Sequence, residues 1–300
     1  MLLYVVDSKG SSPGRAGFIM AVASNGTTHG SIGGGIMEHK FVEMSKRKLV
    51  AENFECTLHH QVHNKSVTKN QSGMICSGEQ TNVIYSLKQN DLAAINLLVS
   101  IICNKKNGVF EMSPEGINVS NEIQLAAYGL IKETDKVWNY REKIGVVNHL
   151  IIIGGGHCAL ALSRQMKLLD FTVVLYEDRI TLPTLTSNHF ADEKIIIDQY
   201  ADLADLIQPI DDTYVVVMTV GYRTDEIAIR ALRHKLFKYF GVLGSSKKIY
   251  TMLSSLRAAQ LPEEWIASLH APAGVAINSR TPNEIAISIA AEIIKVKNRK

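Results

Sequence analysis

Residues 149–179, HLIIIGGGHCALALSRQMKLLDFTVVLYEDR, constrain this chain more than any other stretch. Leu150-Ile151-Ile152-Ile153 is apolar at every position, rich in β-branched side chains and too short for a helix, which predicts a parallel strand buried on both faces. Gly154-Gly155-Gly156 follows, and Ala159 completes a G-x-G-x-x-A turn. The helix after it is expected to carry Leu160, Leu162, Met166 and Leu169 on its inner face. Residues 171–176 read as a second strand that ends in Glu177-Asp178-Arg179. Strand, glycine turn, helix, strand and an acid about 20 residues on form the dinucleotide-binding pattern. Glycine lets the backbone approach a pyrophosphate, and the helix N-terminus offers N–H groups with partial positive charge. Glu177 suits a ribose diol and Arg179 a 2′-phosphate, so NAD and NADP both stay open. The same turn also serves as a plain strand-to-helix connection. A Rossmann half is therefore one expectation, and a bound nicotinamide cofactor is a separate one.

Three hundred residues suggest about two domains. The chain is 46% hydrophobic and 20% charged with a net charge of +3, which gives no case for a nucleic-acid partner. Its apolar runs fall short of the roughly 18 residues a membrane span needs. The opening MLLYVVDSKG lacks a signal-peptide pattern and reads directly as a strand. Cys56, Cys76, Cys103 and Cys158 contain no C-x-x-C pair, so they predict neither zinc nor a disulfide framework and fit a reducing cytoplasm. His59, His60 and His63 lack the H-E-x-x-H arrangement and read as a solvated face.

The first half predicts strands over 2–7, 16–23 and 28–32, with Asn25-Gly26 as a hairpin turn. Gly33-Gly34-Gly35 then opens a helix near Ile36 that turns Phe41, Met44 and Leu49 inward. Strands over 56–62 and 81–87 follow, then an apolar helix from Asp91 to Cys103 with Asp91 as N-cap, and a small hairpin around Pro114-Glu115-Gly116. Residues 133–147 are polar and poorly patterned and place a domain boundary, set at 142/143. The first domain (1–142) is thus α+β with mostly antiparallel strands. The second (143–300) continues with strands over 195–197, 213–220 and 239–243 and helices over 225–234, after Gly244, and over 285–296. Thr281, Pro282 and Glu284 form a capping box for the last helix. That alternation predicts a doubly wound parallel sheet, with ligands beyond the carboxyl ends of its strands.

The turns at Gly33–Gly35, at Gly154–Gly156 and at Gly244 with Ser245 each precede a helix, and each can hold a phosphate or simply make the connection. Glu38, one turn into its helix, either faces a ligand or favours the helix N-terminus electrostatically. Cys76, between Gly73 and Gly78, would carry sulfur if its thiol pKa is lowered, and otherwise is an inert thiol. Spacing assembles no Ser/His/Asp set, metal cluster or paired acids.

At these residues the chain resembles the XdhC/CoxI family of xanthine dehydrogenase accessory proteins. Gly10-Ser11-Ser12-Pro13 with Gly17, Gly30-Ser31-Ile32-Gly33-Gly34-Gly35 with Glu38, and Cys76 carry the likeness in the first half. In the second half it rests on residues 154–157, Glu177-Asp178-Arg179, Gly241, Gly244-Ser245, Pro272, Gly274 and residues 281–286. The resemblance implies an N-terminal domain of the family's own type followed by a Rossmann-like domain. It further implies a cytoplasmic protein that binds molybdenum cofactor (molybdopterin) and supports its sulfuration and insertion into a molybdenum hydroxylase such as xanthine dehydrogenase. A cysteine desulfurase and a second copy of the chain are candidate partners. Cys76 is the candidate sulfur-handling residue. Ser11, Ser12, Gly33, Gly34, Gly35, Glu38, Gly154, Gly156, His157, Glu177, Asp178, Arg179, Gly244 and Ser245 are the candidate cofactor-binding residues. The chain departs from the family pattern at Val220 and Tyr222, where histidines are usual, at Ser77 and at Ser246-Lys247, and its N-terminal region is short. The expected role is that of a carrier and maturation factor rather than a turnover enzyme. The alternative is an NAD(P)-dependent oxidoreductase built on the C-terminal domain, with His157 as the nearest acid/base.

Overall fold

The computed structural model describes every residue except 63–77, 105, 122–127, 146–147, 211 and 300, so Cys76 and His63 lie outside the described residues. The chain divides into two compact units, Met1–Gly145 and Val146–Lys300.

The first unit contains β1 (Leu2–Gly10), β2 (Ile19–Val22), β3 (Thr28–Gly30), α1 (Gly35–Val50), β4 (Thr57–Val62) and β5 (Gly78–Tyr85), followed by α2 (Leu92–Cys103), β6 (Asn107–Met112), β7 (Ile117–Ser120), β8 (Gly129–Lys132) and β9 (Trp138–Gly145). Two antiparallel sheets result, in the orders β3-β2-β1-β5-β4 and β7-β6-β9-β8. β1 is central and apolar on both sides because each side meets a different core. Leu3 and Val5 pack with Met20, Ile32, Met37 and Phe41 under α1. Leu2, Tyr4 and Val6 pack with Phe110, Met112, Trp138 and Tyr140 of the second sheet. On α1, Met37, Phe41 and Ser45 recur every fourth residue and form its buried stripe, while Met44 and Leu49 are half-buried against the same core.

Three local expectations change here. Asp91 does not cap α2 with its side chain. It ends a one-turn 3₁₀ helix, Gln89–Asp91, and its carboxylate accepts from the Lys88 amide at 2.7 Å and the Tyr85 hydroxyl at 2.9 Å. β2 begins at Ile19 rather than 16, because Arg15–Phe18 form a turn closed by the bond from Phe18 N to Arg15 O. The polar stretch after Glu133 holds a central strand, β9, which runs to Gly145. Its inward series is Trp138, Tyr140, Glu142 and Ile144, and the carboxylate hides the alternation. Glu142 is accommodated by hydroxyl donors from Tyr4 and Tyr140.

The second unit alternates β10 (His149–Ile153), α3 (His157–Lys167), β11 (Thr172–Glu177), α4 (Pro183–Thr186), β12 (Glu193–Ile196), α5 (Leu203–Leu206), β13 (Thr213–Val217), α6 (Tyr222–Leu232), β14 (Tyr239–Val242), α7 (Ser246–Ala258), α8 (Glu263–Ser268) and α9 (Pro282–Lys297). The five strands are parallel in the order β12-β11-β10-β13-β14, the doubly wound arrangement expected. Leu150 and Ile152 face the core under α3 and α9, and Ile151 and Ile153 face the one under α6, α7 and α8. α3 buries Ala159, Ala161, Leu162, Ser163 and Met166, and Leu160 is only half-buried, because it sits two residues and so about 200° of helix turn from Leu162. α6 starts three residues earlier than its apolar periodicity suggests, since its first turn, Tyr222-Arg223-Thr224, carries no buried apolar side chain. The capping box of α9 is present as read, with Thr281 Oγ1 accepting from the Glu284 amide and the Glu284 carboxylate from the Thr281 amide.

Candidate functional site

In the first unit the loop at residues 31–35 joins β3 to α1, and Gly33, Gly34 and Gly35 all have positive φ, at 125°, 75° and 69°. Glu38 of α1 folds back onto this loop. Its Oε2 accepts from Ser31 Oγ at 2.7 Å, from the Ile32 amide at 2.9 Å and from the Gly34 amide at 3.0 Å. Burial works against its ionisation, but the bonds from Ser31, Ile32, Gly34 and Gly33 outweigh that and hold Glu38 below the usual carboxylate range. The backbone N–H groups that glycine geometry exposes are thus already turned on an anion, and the anion is the chain's own.

Gln80 of β5 ties this loop to the preceding one. It accepts from Ser12 Oγ at 2.7 Å and from the Gly14 amide at 3.0 Å, and donates to Ile32 O at 2.8 Å and Asn82 Oδ1 at 2.7 Å. Ser12 is therefore buried and engaged, whereas Ser11 is exposed. A Cβ at Gly33 would lie 2.5 Å from the Gly14 amide nitrogen, so the two loops are in backbone contact.

In the second unit the strand order reverses between β10 and β13, which places the Gly154–Gly156 turn against the loop after Val217. Gly154 donates to Tyr176 O at 2.8 Å, and Met218 donates to Ile153 O at 2.8 Å. With φ at 106°, Gly154 carries no room for a side chain, since a Cβ would meet Met218 O at 2.5 Å. Gly156 and Gly221 are the N-caps of α3 and α6, the two helices that leave this crevice. Both have extended backbone, neither helix has a side-chain cap, and a Cβ on either glycine would meet nothing within 4 Å. His157 is exposed at the first position of α3.

The acid of the sequence pattern is engaged on the other side of the turn. Glu177 has no exposed side-chain surface, and its carboxylate accepts from the Gly155 amide at 2.5 Å, from Arg179 N at 3.1 Å, from Arg179 Nε at 2.7 Å and from Arg179 Nη2 at 2.9 Å. Burial raises its proton affinity, but Arg179, Asp178 and the Gly155 amide overcome this and bring the carboxyl down to about 2. Asp178 moves the opposite way, pushed up by burial and by Glu177, and accepts from Tyr200 at 3.0 Å.

Thr219, Asp225 and Lys248 complete the crevice floor. Asp225 is fully buried, and its Oδ1 accepts from the Thr219 amide at 2.9 Å and hydroxyl at 2.6 Å. Its Oδ2 is ion-paired with Lys248 of α7, whose ammonium also donates to Leu243 O at 3.1 Å. Gly244 and Ser245 lie after β14. Ser245 caps α7 by accepting from the Lys248 amide at 3.3 Å, and a Cβ at Gly244 would meet the Lys248 stem at 2.9 Å. The lysine and arginine here are each committed to a buried carboxylate, so positive potential in the crevice comes from the two helix N-termini.

Sequence reasoning missed Gln80, Thr184, Gly221, Asp225 and Lys248. Asp225 left one signal, an acid in the first turns of a helix that follows a fully buried strand. Val220 and Tyr222, on either side of Gly221, are exposed. Among the described residues no group of three or more His, Cys, Asp or Glu is placed to hold a metal ion, and no helix is long and apolar enough to cross a membrane.

Residues 150–293 match the XdhC Rossmann domain, and residues 1–60 match the XdhC and CoxI family. The chain is 26% identical over 296 residues to the uncharacterized protein YqeB of Escherichia coli (strain K12), a match that covers 98% of this chain and 43% of that protein. It is 27% identical over 150 residues to a probable xanthine dehydrogenase subunit of Bacillus subtilis (strain 168), which covers 50% of this chain and 43% of that one. The chain thus spans less than half the length of both relatives. In fold it is similar to a crystal structure of a xanthine dehydrogenase from Bacillus halodurans, with a TM-score of 0.71 at 20% identity over 100% of this chain and 92% of that chain.

Proposed function

Because this chain belongs to the XdhC and CoxI family, we propose that it is a maturation factor for a xanthine dehydrogenase-type molybdenum hydroxylase, and that its cargo is molybdenum cofactor. The observation that carries this reading is the pair Gly156 and Gly221, two open N-caps on helices that leave opposite faces of the sheet at the strand-order reversal. A pterin monophosphate asks for an anion cradle and a polar wall. The first turns of α3 and α6 supply the cradle, and His157, exposed at the start of α3, supplies a polar group beside it. Once delivered, the cofactor supplies the molybdenum centre of the client. This chain's residues would bind the phosphate, orient the ring and shield the cargo from water.

The Gly33–Gly35 loop has a different part in this reading. Glu38 already engages its amides, so the loop serves as a rigid platform held by Gln80, and it would hold a ligand phosphate only by displacing Glu38. Cys76 is the proposed sulfur-handling thiol, with a cysteine desulfurase as donor.

The test uses purified chain mixed with molybdenum cofactor and passed through gel filtration, with the retained pterin oxidised to its fluorescent form. Wild type should retain it. Gly156→Val and Gly221→Val should each lose about tenfold to a hundredfold in affinity, the equivalent of one charge-assisted contact. No retention by wild type would remove the carrier reading.

A further inference from the structure

We infer that the Glu177–Arg179 pair closes the Rossmann crevice to adenosine dinucleotides, so that this unit selects a phosphate ester lacking an adenosine ribose. The inference rests on the reading of the crevice as a cofactor-phosphate site.

In a dinucleotide site, the acid at the end of the second strand accepts hydrogen bonds from the adenosine ribose hydroxyls. That task needs free lone pairs and access. Glu177 offers neither, for it has no exposed surface and four N–H donors share its two oxygens. An ionised carboxylate has about four acceptor sites, so the set is filled. Three of the donors belong to Arg179, whose guanidinium grips both oxygens in a fork, the strongest arrangement for this pair. The fourth is the Gly155 amide, one of the N–H groups of the glycine turn itself.

The segment after Arg179 closes the same side. A Cβ built on Gly155 would meet Glu177 Oε2 at 3.1 Å and Leu182 Cδ2 at 3.3 Å, so acid and leucine both press on the turn. Thr184 donates to Gly155 O at 2.6 Å, which fixes the Gly155 peptide at its carbonyl as Glu177 does at its amide. The neighbouring acid is no substitute, since Asp178 accepts from Tyr200 and lies 3.6 Å from Arg179 Nε. By contrast, Gly156 and Gly221 have no neighbour within 4 Å of a built Cβ. The crevice is thus open at the phosphate end and closed at the ribose end. Arg179, which in the sequence suggested a partner for a 2′-phosphate, is spent on Glu177.

The experiment titrates wild type and Arg179→Ala with NADH, NADPH and ADP-ribose by calorimetry, and assays molybdenum cofactor retention on the same preparations. Leu182→Ala serves as a second variant that loosens the segment without touching the charged pair, and circular dichroism checks that each variant is folded. Wild type should show no binding of the three adenosine compounds at about 1 mM, and at least one folded variant should gain NADH or ADP-ribose binding by about tenfold or more. Wild type that binds NADH well below that concentration would overturn the inference, as would two folded variants that gain nothing. Cofactor retention is read separately. NADH binding together with retention sinks the gate alone, and absent retention with no NADH binding sinks the carrier reading alone.

Discussion

Gly34 donates its amide hydrogen to the Glu38 carboxylate at 3.0 Å, and Glu38 belongs to the helix that Gly34 caps. The helix therefore closes its own N-terminal cradle with an acid from its first turn, where the dipole favours a negative charge. In the second unit Asp225 of α6 repeats the device on the Thr219 amide, whereas the Gly155 amide is held by Glu177 at the end of β11. Neither Gly156 nor Gly221 has a side-chain cap, and α3, which Gly156 caps, carries no acid in its first turn.

Removing the Glu38 charge should change acid stability. Folding depresses the Glu38 pKa, so its stabilisation is present above the unfolded value near 4.5 and is lost as the pH falls through the folded value. Glu38→Gln should cost about 1 kcal/mol at neutral pH after allowing for solvent screening of a half-exposed group. The gap between mutant and wild type should narrow below about pH 4. Urea titrations at pH 7 and pH 3.5 check this, and an equal gap at both would assign the loss to packing.

The glycines of the second unit should differ sharply in tolerance. Gly154→Ala drives a Cβ to 2.5 Å from Met218 O at a φ of 106°, and should cost about 3 kcal/mol or more. Gly156→Ala and Gly221→Ala meet open space with extended backbone and should stay within about 1 kcal/mol. Thermal unfolding of the three variants gives the ranking. Gly34→Val is a poor probe of ligand contact in the other unit, because its φ of 75° strains any side chain whatever the space.

Thiol reactivity bears on sulfur handling. Burial pushes the Cys56 thiol up to about 11 and also raises Cys158, so both should alkylate slowly near pH 7.5, since the thiolate is the nucleophile. Cys103 is exposed and sets the rate of an accessible thiol. Under the proposed function Cys76 labels before Cys103, and peptide mapping after a brief pulse of iodoacetamide reads the order. Labelling of Cys76 no faster than Cys103 would return it to an ordinary thiol.

The parallel sheet was legible because β10 and β13 are apolar at nearly every position, a pattern only double burial explains. β9 was not, since Glu142 occupies an inward position and is satisfied by tyrosines distant in sequence or hidden by strand alternation. Gln80 escaped for the same reason. A glutamine in a strand reads as solvent-facing, and only the fold reveals that two loops converge on it. The glycine turns of the site were visible, but which amides were already engaged was not, because Glu177 reaches back 22 residues to Gly155.

The buried pair of Asp225 and Lys248 yields the sharpest stability test. It links the first turns of α6 and α7 and holds the Thr219 loop that floors the crevice. Removing Lys248 leaves an uncompensated charge on the fully buried Asp225, which costs about 3–5 kcal/mol, whereas the partly exposed Lys248 ammonium left by removing Asp225 costs less. Asp225→Asn keeps an acceptor for the Thr219 amide but strands the ammonium, and Lys248→Met strands the carboxylate. The double variant removes both charges and keeps the volume of the lysine stem, so it should recover more than about 1 kcal/mol relative to the sum of the single losses. Urea unfolding of the four proteins closes the cycle. Strict additivity would mean that the two side chains act independently, with Asp225 serving only the Thr219 loop and Lys248 only the Leu243 carbonyl.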